Sequence, residues 1–152
     1  MIDFELASGL PSILDPADLS MLGRVLARRL KLRKKYCVGI RFVTIRVMQT
    51  LNQRYRKIRK PTDVLSFAPA KLPIKGSFID KYSLGDLVLC PSYVKKNRLV
   101  GALFIPMREE LIRLIAHGVL HLLGFDHATP HTEARMFSLQ EKCVSEVKTF
   151  FI

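Results

Sequence analysis

The stretch HGVLHLLGFDH, residues 117–127, limits what this chain can fold into more than any other. It holds three of the protein's four histidines, at offsets of four and then six residues. His117 and His121, at i and i+4, share one face of a helix a single turn apart and can bind one ion together. Gly124 suits the C-terminal cap of that helix. Beyond it the chain can reverse and bring His127 in from a loop as a third ligand, with a fourth position left for water, the open arrangement of a catalytic zinc. The offsets are those of the metzincin pattern HExxHxxGxxH, so the expectation is a metzincin-like zinc helix carrying one Zn2+ per chain. The glutamate that serves a zinc peptidase as its base is absent, and Gly118 stands in its place.

No neighbour replaces that base. Glu110 lies seven residues before His117 on the same helix, about 10 Å away along the axis. Asp126 adjoins a ligand and is read as orienting a histidine. His131, beyond Pro130 in a polar loop, is read as incidental to the site, close to the metal water at most. A phosphodiester fits such a site better than an amide, because a metal and an arginine can neutralise phosphoryl charge while an alkoxide leaves.

Charge points the same way. The formal net charge is +12, and from Leu19 through Thr62 there are fourteen Lys and Arg and no acidic residue. Such a field attracts phosphate backbones, so a nucleic acid is the leading partner; the plainer reading is a solvated basic helix face. A hydrophobic share of 49% and a length of 152 residues suit one folded domain spanning 1–152. No apolar run approaches the roughly 20 residues of a membrane span. MIDFELASGL has neither a basic start nor an apolar run, so no signal peptide and a cytoplasmic location are expected. Cys37, Cys90 and Cys143 form no CxxC pair and are read as buried small hydrophobes.

Interleaved strands and helices predict an α/β (α+β) domain with a small sheet of about four strands and about five helices. Strands are expected at Ile2 to Leu6, at CVGIRFV (37–43), at VLSFA (64–68) and at LGDLVLC (84–90). Asp15, Pro16 and Asp18 start a first helix whose Leu19, Leu22, Val25, Leu26 and Leu30 line one face. Thr44 caps a second, basic helix, RVMQTLNQRYR, with Ile45, Met48, Leu51 and Tyr55 near helical spacing. A short helix follows Pro91, and a stronger one opens at Pro106 and carries the histidines. The last begins near Thr132, its stripe formed by Met136, Phe137, Leu139, Gln140, Cys143, Val144 and Val147. The Pro- and Gly-containing connection at 69–83 is long.

Taken together, these residues resemble a known family. HGVLHLLGFDH resembles the HGxLHLxGxDH signature of the YbeY family of ribosomal RNA maturation factors, which are metal-dependent endoribonucleases. LNQRYRKIRKPTDVLSF (51–67) and LGDLVLC (84–90) are similar, in order and spacing, to that family's LNxxYRxxxxPTDVLSF and LGD blocks. The resemblance implies a small, mostly parallel sheet with one antiparallel strand. It implies that His117, His121 and His127 ligate zinc and that Arg56 faces the substrate phosphate. Asp63 and Asp86 fall on motif aspartates, with Asp63 equally readable as a turn residue before a strand. The chain departs from the pattern at Arg59, where an acid is usual, at Pro69, one residue late, and at ATPHTEA after the third histidine. The expected activity is single-strand-specific, zinc-dependent cleavage in maturation of the 16S rRNA 3′ end and ribosome quality control, with single-stranded or ribosomal RNA, the small subunit and its assembly factors as partners. Two alternatives compete: a metal-stabilised assembly factor with little catalysis, and a zinc amide or peptide hydrolase, against which the charge argues.

Overall fold

Leu87 and Val88 are consecutive, both buried, and belong to different cores. Successive strand side chains point to opposite faces, so the sheet that holds them is covered on both sides. The structure, a computed structural model, describes residues 1–69, 82–97 and 105–149. Most of the connection expected at 69–83 lies outside the described residues. The strands are β1 (Ile2–Leu6), β2 (Tyr36–Phe42), β3 (Val64–Phe67) and β4 (Tyr82–Leu89), in the order β1-β2-β4-β3. The β1–β2 and β2–β4 pairs are parallel and β3–β4 is antiparallel, as expected. The helices are α1 (Pro16–Arg29), α2 (Ile45–Arg56), α3 (Pro91–Asn97), α4 (Met107–Leu122) and α5 (Pro130–Thr149).

One face of the sheet carries the larger core, where Val38, Ile40, Leu87 and Leu89 meet α1, α4 and α5. The other carries a smaller one, where Met48 of α2 packs with Leu65, Val88 and Cys90. Four α4 side chains, Leu111, Ile115, Val119 and Leu120, are 0% exposed. At roughly 1.5–3 kcal/mol each, their burial outweighs the missing N-cap hydrogen bond at Pro106, a loss of about 1 kcal/mol. The Asp18 carboxylate accepts the Asp15 N–H at 2.8 Å, closing the first turn of α1. It is also fully buried and accepts from Arg108 Nε at 3.1 and 3.2 Å, which fastens α1 to the start of α4. Thr44 caps α2 by accepting the Val47 N–H at 3.3 Å.

The differences from expectation are local. β2 begins and ends one residue early. α5 starts at Pro130 rather than near Thr132, because Thr129 and Thr132 accept each other's backbone N–H at 3.2 and 3.1 Å and close an earlier turn. Tyr55 and Phe137, expected in apolar stripes, are 57% and 60% exposed. Tyr55 stands edge-on to Phe67, with ring centroids 5.0 Å apart, beyond the small core under α2. The three cysteines are buried, and burial pushes the Cys143 thiol up to about 11.

Arg113 of α4 gathers three carboxylates, Glu109 at 3.0 Å, Glu110 at 2.8 Å and Glu141 of α5 at 2.7 Å. Its hydrogen bond holds Glu141 below the ordinary glutamate value. Burial would raise Glu109, but Lys148 and Arg113 bring it below that value too. A carboxylate with a depressed folded pKa adds stability above its unfolded pKa and loses it as pH falls through the folded one. Arg113→Met should therefore cost about 1–3 kcal/mol at neutral pH, a range that allows for partial exposure of the pairs. The loss should shrink below pH 4.5, the ordinary glutamate value. Urea unfolding of both proteins at pH 7 and pH 3.5 checks this, and an equal loss at both would contradict it.

Candidate metal centre

The last two turns of α4 and the loop after it bring His117, His121 and His127 together. Gly124, at φ +96°, follows the helix in a left-handed conformation open to glycine, and its N–H bonds the His121 carbonyl at 3.0 Å. The chain then turns back, and one ring nitrogen from each histidine lies within 4.8 Å of the others. His117 and His121 are half-buried and His127 is exposed. Ring centroids are 4.5 Å apart for His117 and His121 and 5.0 Å for His121 and His127.

The hydrogen bonds fix which nitrogens carry protons. His121 Nδ1 lies 3.1 Å from the Phe125 carbonyl, which can only accept, so Nδ1 donates and Nε2 keeps its lone pair. His117 Nδ1 lies 2.9 Å from Gln140 Oε1. The Gln140 amide cannot be flipped, because its Nε2 donates to Glu141 Oε1 at 3.2 Å. His117 therefore donates from Nδ1 as well. The two Nε2 atoms, each with a lone pair, face each other at 3.0 Å. Two acceptors at that distance repel unless a cation lies between them, and three neutral imidazoles are a donor set suited to zinc. Burial first, and then the charges of His117 and His127, hold His121 below the ordinary histidine value, which keeps it in that neutral form.

Gly118 now has a structural reason. A Cβ there would lie 2.6 Å from Leu87 Cδ2 in the core, so position 118 faces β4 and away from the histidines. Glu110 is bound to Arg113. No carboxylate joins the three histidines in a metal-ligating group among the described residues.

The other candidates lie elsewhere. Asp126 forms no hydrogen bond with a histidine among the described residues: its Oδ1 accepts the Ala128 N–H at 3.2 Å, and that bond, with the Thr132 hydroxyl, holds it below the ordinary aspartate value. His131 is exposed on the first turn of α5 and outside the cluster. Asp63 accepts the Val64 N–H at 2.8 Å and turns the chain into β3. Asp86 lies on the α2 side of β4, with Oδ1 against Gly39 of β2. Arg56 ends α2, exposed and without an ion pair among the described residues. The end of α2 meets Phe67 through Tyr55, Phe67 pairs with Asp86, and a Cβ on neighbouring Gly85 would lie 3.1 Å from Leu122 of α4. Arg56 and the histidines thus stand at the same end of the sheet, above opposite faces.

Sequence reading missed the role of Gln140. It is a single polar residue in the buried stripe of α5, 6% exposed, and that contrast was the available signal. The Phe125 carbonyl is backbone and left no sequence signal.

Fold and site define a mixed α/β protein with an open three-histidine centre able to hold a metal ion. Residues 18–148 match the family described as Endoribonuclease YbeY, and the chain belongs to that family. It is 38% identical over 143 residues to an endoribonuclease YbeY of Beutenbergia cavernae, covering 91% of this chain and 92% of that one. The corresponding protein of Bifidobacterium longum subsp. infantis is 36% identical, covering 91% and 74%. The solution structure of TM1509 from Thermotoga maritima superposes with a TM-score of 0.62 at 27% identity, over 99% of this chain and 91% of that one.

Gln140→Leu keeps the volume and removes the acceptor that fixes His117. Losing such a partner of a ligand should weaken metal affinity by about 10–100-fold. Competition titration with a chromophoric zinc chelator measures it, and wild-type affinity in the variant would rule out the positioning role.

Proposed function

We propose that this protein is a zinc-dependent, single-strand-specific endoribonuclease, one domain over residues 1–152 with one Zn2+ per chain, that matures the 3′ end of 16S rRNA and takes part in ribosome quality control in the cytoplasm. The observation that carries the reading is the convergence of three imidazoles, with no carboxylate in the ligand group among the described residues, in a chain of the YbeY family. His117, His121 and His127 would hold the ion, which supplies Lewis-acid charge beside the scissile phosphate when bound.

The rest falls to the chain's own side chains. Gln140 and the Phe125 carbonyl keep two imidazoles in the tautomer that offers Nε2 to the site. Arg56 donates to the non-bridging phosphoryl oxygens, whose negative charge grows as an attacking oxygen bonds to phosphorus and is passed to the departing alkoxide as the scissile P–O bond breaks. Its planar fork suits two such oxygens better than a lysine would. The acid-free run around α2 draws the RNA backbone toward that end of the sheet. Neither position 118, which faces Leu87, nor Glu110, which is held by Arg113, supplies a base for amide hydrolysis. The small ribosomal subunit and its assembly factors are the expected partners. No helix of the described residues is long and apolar enough to cross a membrane.

His121→Ala and Arg56→Ala should each slow cleavage of a labelled single-stranded RNA by about 100-fold or more, with thermal unfolding like that of the wild type. A chelator should stop the wild-type reaction and added zinc restore it. Cleavage at the wild-type rate by either variant would refute these roles, and turnover indifferent to chelation would favour an assembly factor with little catalysis.

A further inference from the structure

Thr50, Gln53, Arg54 and Lys57 follow one another at steps of three, one and three residues, which places them on a single face of α2 and its cap. With Arg59 they line an open recess of about 520 Å3. Arg56 is not among them: neighbouring residues of a helix point about 100° apart, so it projects away from Lys57 on another flank.

The recess is held in shape from beneath. Lys57 takes the left-handed conformation at φ 60°, with its N–H on the Gln53 carbonyl at 3.0 Å. Gln49 Nε2 donates to the Arg59 carbonyl at 3.2 Å, and the buried Asn52 donates to the Lys60 carbonyl at 2.7 Å. These two bonds fold the 57–60 segment back along the helix and set Arg59 beside Arg54 and Lys57. None of the three cations forms an ion pair among the described residues. Cations at a helix C-terminus serve its dipole, but the dipole amounts to only about half a charge. Three clustered charges exceed that need.

We infer that this recess is a second RNA-backbone site, apart from the three histidines, which grips phosphates of the substrate strand away from the bond being cut. It is lined by no large apolar side chain and no carboxylate, whereas a protein-docking surface needs buried aromatic or aliphatic anchors at its centre. Three cations with the Gln53 amide among them match a run of phosphates. The inference rests on the ribonuclease reading for its ligand, and its test is separate from that reading's.

The test compares the wild type with Arg54→Gln/Lys57→Gln/Arg59→Gln, checked by thermal unfolding to be folded. Binding is measured with a single-stranded RNA longer than the roughly 4–16 nucleotides that one small groove covers, across a salt series, and cleavage is measured with a tetranucleotide. Each phosphate of a single strand that no longer meets a protein cation lowers the slope of log K against log salt by about 0.7. The triple variant should bind the long RNA at least about tenfold more weakly, with a slope smaller by about 2, and cleave the tetranucleotide as the wild type does. Unchanged affinity and slope would overturn the inference and leave the recess to an acidic protein surface. So would an equal loss on the tetranucleotide, which would make these residues part of the cleavage site. A wild type that binds the long RNA with this slope but cuts nothing would sink the ribonuclease activity and leave the backbone site standing.

Discussion

Everything at the histidine centre depends on how closely α4 lies on the sheet. Gly118 lets the helix press onto Leu87 with no room for a Cβ, and that contact sets the rotation of α4. The apolar stripe through Leu111, Ile115, Val119 and Leu120 faces the core. His117 and His121 are left on a flank that meets α5 on one side and opens toward the returning loop on the other. A glutamate at position 118 would have to displace Leu87 before it could serve any chemistry. The glycine therefore belongs first to packing, and the missing peptidase base is its consequence.

The second layer of control is hydrogen bonding across the α4–α5 seam. Arg113 holds Glu141, Glu141 fixes the Gln140 amide, and Gln140 fixes the proton of His117. One chain of hydrogen bonds thus joins an ion-pair cluster to the tautomer of a site histidine. The same cluster divides the protein's charge. Glu109, Glu110 and Glu141 are occupied by Arg113, and Glu146 is paired with Arg28 and Arg29. The cations of α2 have no such partners among the described residues, so the positive field is concentrated at the end of the sheet where Arg56 stands.

The sequence disclosed whatever rests on local chemistry. The i, i+4 histidines, the Gly124 cap, the Thr44 cap and the Pro16 start all lie where spacing and residue type put them, and the sheet is parallel but for one strand, as the implied fold has it. What it concealed depends on neighbours distant in the chain. Tyr55 and Phe137 fit helical stripes, yet α2 covers only a small core and nothing among the described residues buries the outer flank of α5, so both rings stay exposed. Asp126 looked suited to orient a histidine because it adjoins one. The work falls instead to Gln140, 23 residues beyond His117, and to a backbone carbonyl. Asp63, readable either as a motif residue or as a turn residue, is engaged with the backbone at the start of β3.

The central claim is that fixed tautomers turn the histidine nitrogens toward one cation. Anomalous diffraction at the zinc edge, from crystals grown with one equivalent of zinc, tests it most directly. The account predicts one peak per chain, about 2.0–2.1 Å from Nε2 of His117, Nε2 of His121 and a ring nitrogen of His127. A peak bonded through Nδ1 of His117 or His121, or no peak among the three rings, would contradict it.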